Sequence, residues 1–528
     1  MLADFLSSPI VLTGLALWTI VAVALAVRVA GRVSAIDVGD DGDSVRRIAR
    51  NSVIPIASQF VIRGSDLAVA IVLLRLLGPE GNGRYAIAVV VWLYVKTLSD
   101  FGLSLLATAD IARDRTSAGR VVGATTLLRL LVLGLSATPV GLYLTVGLTG
   151  DSLSVESVLA ILLLYLSIIP SSYAEAVNSA LNGIERMEIG AWLNVAVSFA
   201  RAPLAVILAS LLGVEGVALA ALVTALLSAE LYRRAAVRAG IGRTVWSLGG
   251  AQARTLVARS WPLLVNALLV NLFFRVDVFI LQAIKGDEAL GVYDASYKLV
   301  NLVTIIPAYV TLAIFPTMAQ RSDDPAALDR ALRMASYFLV WIAWGVVACA
   351  TALAGGAIRV VAGGDYLPEA AILLRVLIWF APFAFLNGVI QYALIASEQQ
   401  RRILPAFVVA VSFNLALNVV FIPAYGARAA AAATVATEVV ILIAFAAVTR
   451  HSRVRAVTWD SLRRLWKPTL AGVVASAIAA VLVNRQGETV ATVAAVLAFA
   501  SLSLALRVFG AVERDILRRA VRRSPARA

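Results

Sequence analysis

The chain has 528 residues, 61% of them hydrophobic and 15% charged, with a mean hydropathy of +0.88, whereas soluble domains are about 25% charged; a water-soluble fold is excluded. A bilayer-spanning helix takes about 20 apolar residues, so with short connections there is room for about fifteen spans and none for a large soluble domain. One Cys (Cys349) and one His (His451) exclude disulfide frameworks, Cys/His metal clusters and Ser-His-Asp triads, and the formal charge of +14 sits mostly as Arg at the ends of apolar runs, a topology signal rather than a nucleic-acid footprint.

In chain order, apolar runs bounded by Arg, Gly, Pro or Asp predict spans over 9–30, 51–77, 84–106, 120–148, 154–182, 189–212, 214–233, 257–284, 290–318, 334–356, 369–396, 403–423, 428–449, 467–484 and 489–508. No basic segment precedes the first run, so a cleaved signal peptide is not expected. Alternate loops are rich in basic residues: Arg46, Arg47 and Arg50, then Arg113, Arg115 and Arg120, the segment from Arg233 to Arg259, Arg401 and Arg402, and the tail from Arg514 to Arg527. The intervening loops hold at most one each, such as Arg84, Lys285 and Arg428. This asymmetry predicts a multi-pass protein of the cytoplasmic membrane with its N-terminus outside and its C-terminus cytoplasmic. The outer loops are short, which disfavours a membrane glycosyltransferase or ligase with catalytic acids in an external domain. No catalytic external domain, and hence no enzyme of that kind, is expected.

Two stretches match at fixed spacing. Gly78, Glu80, Gly83 and Tyr85 recur as Gly286, Glu288, Gly291 and Tyr293 at an offset of 208, and Gly213, Ala218, Ala220 and Thr224 recur as Gly426, Ala431, Ala433 and Thr437 at an offset of 213. Each pair falls on the same outer loop of a six-span block, the pattern of a parallel repeat about an axis along the membrane normal. The predicted organisation is an extra N-terminal helix and charged linker (1–50), an N-lobe (51–233), a cytoplasmic linker (234–256), a C-lobe (257–449), and a C-terminal helix pair with a basic tail (450–528). The fold class is all-α and polytopic.

Leu76-Leu77-Gly78-Pro79-Glu80 with Gly83 and Tyr85, followed by Asp100-Phe101-Gly102, resembles the start of polysaccharide-biosynthesis (O-antigen-type) flippases of the multidrug/oligosaccharidyl-lipid/polysaccharide exporter superfamily. Asn414-x3-Asn418, then Ile422-Pro423-Ala424-Tyr425-Gly426 and an Ala-rich helix, is similar to that family's second lobe. The likeness runs over about residues 45–510. It implies two six-helix lobes that move a lipid-diphosphate-linked oligosaccharide outward by alternating access, with polyprenyl-diphosphate-linked glycan and membrane lipids as partners, glycan-assembly enzymes as further candidates, and no nucleic acid. The chain departs from the family in its extra N-terminal helix and in Ala429 in place of a frequent Gly.

Charged residues at bilayer depth are costly and generally face a cavity or a partner. Arg63, Arg201 and Lys96 fall near mid-span, Asp100 nearer the cytoplasm, and Arg275, Asp277, Asp294 and Lys298 in the outer half. Arg75, Arg129 and Arg375 lie nearer span ends, where long side chains snorkel to headgroups. Lys96/Asp100 and Asp294/Lys298 are spaced for i,i+4 pairing, and Arg63/Asp66 for i,i+3. Arg201 has no acid within a turn, only Asn194 and Ser198 on its side. Guanidinium forks match phosphate oxygens, so Arg63, Arg201 and Arg275, with Lys96 and Lys298, are the candidate cargo cations, and Asp66, Asp100, Asp277 and Asp294 the candidates for pairing or ion coupling. Asn266, Asn271, Asn301, Asn387, Gln391, Asn414, Tyr293, Tyr297 and Tyr309 could meet sugar hydroxyls, most of the Asn residues serving instead as interhelical hydrogen bonds. No metal and no organic cofactor are expected, since no Walker-type motif follows a strand; coupling to a proton or sodium gradient stays open. A lipid-linked peptidoglycan-precursor flippase and a cation-coupled drug extruder are the same-fold alternatives.

Overall fold

The computed structural model describes residues 44–304, 306–307, 325–397, 399–450 and 459–508. The expected span at 9–30, the end of the span at 290–318 and the basic tail lie outside the described residues. The described chain is helical throughout, with no strand among the described residues. It comprises α1 (Ser44–Asp100), α2 (Leu103–Arg113), α3 (Ala118–Thr149), α4 (Val155–Gly183), α5 (Met187–Arg238), α6 (Gly250–Val303), α7 (Pro325–Val361), α8 (Glu369–Leu377), α9 (Ala381–Ala396), α10 (Ile403–Tyr425), α11 (Ala427–Thr449), α12 (Trp459–Gln486) and α13 (Glu488–Ala505).

Helices α1, α5 and α6 are 57, 52 and 54 residues long, about 80 Å each at 1.5 Å per residue, far more than a hydrocarbon core of about 30 Å. Each is a hairpin of two spans broken at one glycine. Gly78 in α1 has φ 65° and ψ −177°, and Gly286 in α6 has φ 80° and ψ −176°. Gly213 in α5 has φ 64° and ψ −134°, and Gly426 between α10 and α11 has φ 57° and ψ −138°. A side chain is strongly disfavoured in these conformations. The two pairs related by the sequence repeat therefore share their backbone geometry, and each pair is its own type of turn.

The chain divides into two compact units, Met1–Gly291 and Val292–Ala528. In the first, Ile111, Val122, Val177, Leu181, Ile189, Leu193 and Leu231 build the core where α2, α3, α4 and the two ends of α5 meet. The hydroxyl of the buried Tyr232 lies 2.9 Å from Asn194 Oδ1, so Asn194 serves packing. The basic segment after α5 is laid along α3: the Val245 amide donates to the Gly119 carbonyl at 3.1 Å, and the missing side chain of Gly123 admits the Val245 carbonyl. In the second unit, Ala348 and Ala352 of α7 meet Ala475 and Ala479 of α12 and Ala491 and Ala495 of α13. Small residues let these backbones approach where no hydrophobic effect drives helix association, so the C-terminal helix pair is held on α7 by close packing.

Exposed apolar side chains such as Leu135, Leu142, Val420 and Leu504 are what a lipid-facing bundle requires. Trp246, Trp261 and Trp466 are more than half exposed, as interface anchors are; the Trp459 side chain lies outside the description.

Candidate functional site

The charged residues of the first unit form two layers. Asp66 and Arg201 are each twelve residues from the kink glycine of their own helix, Gly78 and Gly213, about 18 Å along the axis. This common depth brings the Arg201 guanidinium onto Asp66 Oδ1 as an ion pair. Both side chains remain close to half exposed, at 44% and 47%. Arg63, one turn from Asp66, is exposed, and among the described residues no ion pair engages it. The expected Arg63/Asp66 pairing is therefore replaced by an interhelical one: Asp66 turns to a cation 135 positions away.

The second layer lies farther from the kink end, on α1, α3 and α4. Lys96 Nζ is 2.7 Å from Glu175 Oε1 of α4 and 4.9 Å above the centre of the Trp92 ring. Asp100 accepts from Arg129 Nη2 at 2.8 Å and from Ser104 Oγ at 2.6 Å, while Arg129 Nη1 donates to the Ser172 carbonyl at 3.1 Å. The expected Lys96/Asp100 pair does not form, because each residue finds an oppositely charged partner at its own depth on a neighbouring helix. Lys96 is eighteen residues from Gly78, about 27 Å, and thus well past mid-span. Arg129 was expected to snorkel. It is instead 1% exposed, the largest fully buried side chain of the described protein, and ties α3 to α1 and α4.

Arg275 is half-buried and Asp277 buried, with the Val278 amide donating to Asp277 Oδ1 at 3.0 Å. In the second unit Asp294 and Lys298 form the i,i+4 pair that their spacing allows, at 2.8 Å. The polar candidates are largely structural. Asn271 Nδ2 donates to Thr97 Oγ1 at 2.7 Å, Asn414 Nδ2 to Thr437 Oγ1 at 3.0 Å, and the Tyr293 hydroxyl lies 3.4 Å from Thr434 Oγ1. Asn301 and Asn266 are exposed, Gln391 is half-buried, and Tyr309 lies outside the described residues.

Two groups escaped sequence reading. Glu175 sits within an apolar span and completes the Lys96 pair. Glu438 is 4% exposed within α11 and accepts from Asn387 Nδ2 at 2.8 Å, with no cation in contact among the described residues. The available signal was that each is the sole acid deep inside its span, as Asp66 is in its own. Among the described residues no cluster of His, Cys, Asp and Glu is placed to hold a metal ion.

At the kink end, the repeats of the first unit cross. A side chain on Gly83 would strike the Asp287 carbonyl, and one on Gly291 the Pro79 carbonyl, positions related by the same offset of 208. Asn82 Nδ2 donates to the Gly291 carbonyl at 2.9 Å. Arg84 lies beside Glu80, and its guanidinium is 3.6 Å from Asp287 Oδ2 and 3.9 Å from Glu156 Oε2.

Paired helical hairpins with ion pairs held at membrane depth are the architecture of a multi-pass membrane protein. Among solved structures, the lipid II flippase MurJ in an inward closed conformation is similar at a TM-score of 0.68, with 14% identity over 86% of this chain and 99% of that one. An inward-facing multidrug resistance MATE family transporter of the MOP superfamily is similar at 0.59, with 17% identity over 76% and 97%. At such identities the likeness is one of fold. No curated protein matches the chain by sequence. The family described as polysaccharide biosynthesis protein matches residues 48–322, more than half of the chain, and MatE matches residues 262–420. The chain belongs to the polysaccharide biosynthesis protein family. These relatives are transporters and flippases, in keeping with the expectation that the chain is not an enzyme.

Proposed function

We propose that this protein is a flippase that carries lipid-diphosphate-linked oligosaccharides across the cytoplasmic membrane by alternating access, for surface polysaccharide or glycoconjugate synthesis, with its C-terminus in the cytoplasm. One observation carries the reading: Arg201 and Arg63 are exposed cations at mid-span, and the acid of that layer, Asp66, is engaged by Arg201. A diphosphate gives up its water in the bilayer only where other charges replace it, and a guanidinium does so with two parallel hydrogen bonds. Asp66 holds Arg201 until the cargo arrives. The diphosphate then displaces it, and the released carboxylate takes up a proton or sodium ion, which ties cargo movement to the ion gradient. A drug extruder for organic cations requires an accessible carboxylate without a base. In this layer Asp66 is held by Arg201, while the acid that lacks a base, Glu438, is buried beyond reach of a bulky cation.

The test is leaflet accessibility of a labelled polyprenyl-diphosphate sugar in vesicles carrying the full chain. Arg201→Ala abolishes transport, and Asp66→Asn retains cargo binding but loses its dependence on the gradient. Transport by Arg201→Ala at the wild-type rate would remove the anionic-cargo reading.

A further inference from the structure

The second unit contains a cavity of about 590 Å3 among α7, α8, α11 and α12, lined by Arg375, Thr351, Trp379, Ala436, Ala477 and Ala480 among others. Its volume is in the range of about 300–1,000 Å3 that holds small amphiphilic ligands. Apart from Arg375 its lining carries no charge. The Arg375 Nε donates to the Thr351 carbonyl at 3.2 Å, and among the described residues no acid pairs with the guanidinium, which leaves its two terminal nitrogens available.

Depth gives this cavity a polarity. Arg375 lies six residues from the start of α8, about 9 Å along the axis. A bilayer is about 40–45 Å thick with its headgroup layers and about 30 Å without them, so the guanidinium is at the border between headgroups and hydrocarbon. Trp379 is four residues deeper on the same stretch, and Ala436 is nine residues from the start of α11, about 13 Å. A cation thus stands beside the apolar walls of a groove, which run from its own depth, at Ala480, toward the membrane centre, at Ala436. The small side chains of Ala436, Ala477 and Ala480 leave the groove open, and Thr351 fixes the guanidinium at its edge.

We propose that this groove binds one anionic phospholipid from the surrounding leaflet, its phosphate on Arg375 and an acyl chain along Trp379 and the three alanines. The charge complementarity is specific: a zwitterionic lipid brings a phosphate already neutralised by its own ammonium group, whereas an anionic one has a net charge to match the guanidinium, and a free anion would leave the apolar walls uncovered. The site is independent of the cargo and of the charged layers in the first unit.

Native mass spectrometry of the full chain in mild detergent, titrated with phosphatidylglycerol, phosphatidylcholine or inorganic phosphate, tests this. One phosphatidylglycerol is retained per chain in the wild type and phosphatidylcholine is held more weakly. Arg375→Gln weakens phosphatidylglycerol by about tenfold or more, and Arg375→Lys restores part of the affinity. Ala436→Trp fills the groove and loses the lipid although the cation remains, which keeps the test decisive should Arg375→Gln fail to fold. Wild-type retention in folded Arg375→Gln or in Ala436→Trp, equal retention of phosphatidylcholine, or displacement of the lipid by inorganic phosphate alone would each overturn the proposal.

Discussion

Gly83 and Gly291 cross so closely that a side chain on either one would enter a carbonyl oxygen of the opposite segment, Asp287 for the first and Pro79 for the second. The reciprocity follows from the repeat: each glycine is five residues beyond a kink glycine of the same conformation, Gly78 or Gly286. Two equivalent hairpins can touch backbone to backbone only where neither carries a Cβ.

Substituting Val at Gly83 or Gly291 is expected to wedge this crossing apart. Overpacking a close contact costs about 1–3 kcal/mol, and the Asn82 hydrogen bond to the Gly291 carbonyl would be strained with it. Thermal unfolding in detergent reads it: Gly83→Val and Gly291→Val should each melt below the wild type, and melting at the wild-type temperature would show that the crossing tolerates a side chain.

Removing Arg129 would leave Asp100 and the Ser172 carbonyl without their donor. Breaking a fully buried pair costs about 3–5 kcal/mol; Asp100 is partly exposed, so a loss of about 2–3 kcal/mol is expected for Arg129→Met. Thermal unfolding in detergent reads it. Addition of Asp100→Asn should recover part of the loss, since the unpaired charge is then gone.

Glu438 and Asn387 behave differently. Glu438→Gln keeps an oxygen for the Asn387 donor and is expected to unfold near the wild-type temperature. Glu438→Ala removes one of the two acceptors of that buried amide, the other being the Glu438 backbone carbonyl at 2.9 Å, at about 1 kcal/mol. Equal melting of the two variants would show that the hydrogen bond contributes nothing.

For the mid-span layer, Asp66 and Arg201 should be energetically coupled. A double-mutant cycle with Asp66→Asn and Arg201→Gln, followed by thermal unfolding, is expected to give about 0.5–1 kcal/mol, small because both groups are half exposed. Arg63→Gln should leave the melting temperature within the error of the wild type, because no described acid depends on it, while lowering retention of a labelled lipid diphosphate.

The sequence by itself determined the spans, because hydropathy must match bilayer thickness wherever a helix crosses. The limits expected for the helices now seen as α3, α4, α10 and α11 agree within a few residues. It also determined where hairpins turn, since Gly78, Gly213, Gly286 and Gly426 adopt backbone angles closed to other residues, and a fixed offset exposes such positions. The partners of the charges were decided by tertiary structure alone. Spacing along one helix suggested Lys96 with Asp100 and Arg63 with Asp66, yet Lys96 took Glu175, Asp100 took Arg129 and Asp66 took Arg201. Within a bundle a side chain meets whatever lies at its own depth on the adjoining helix, and linear spacing carries no record of which helices adjoin. Arg129 illustrates the same limit: its distance from a span end permitted contact with headgroups, and the packing of three helices around it withdrew that option.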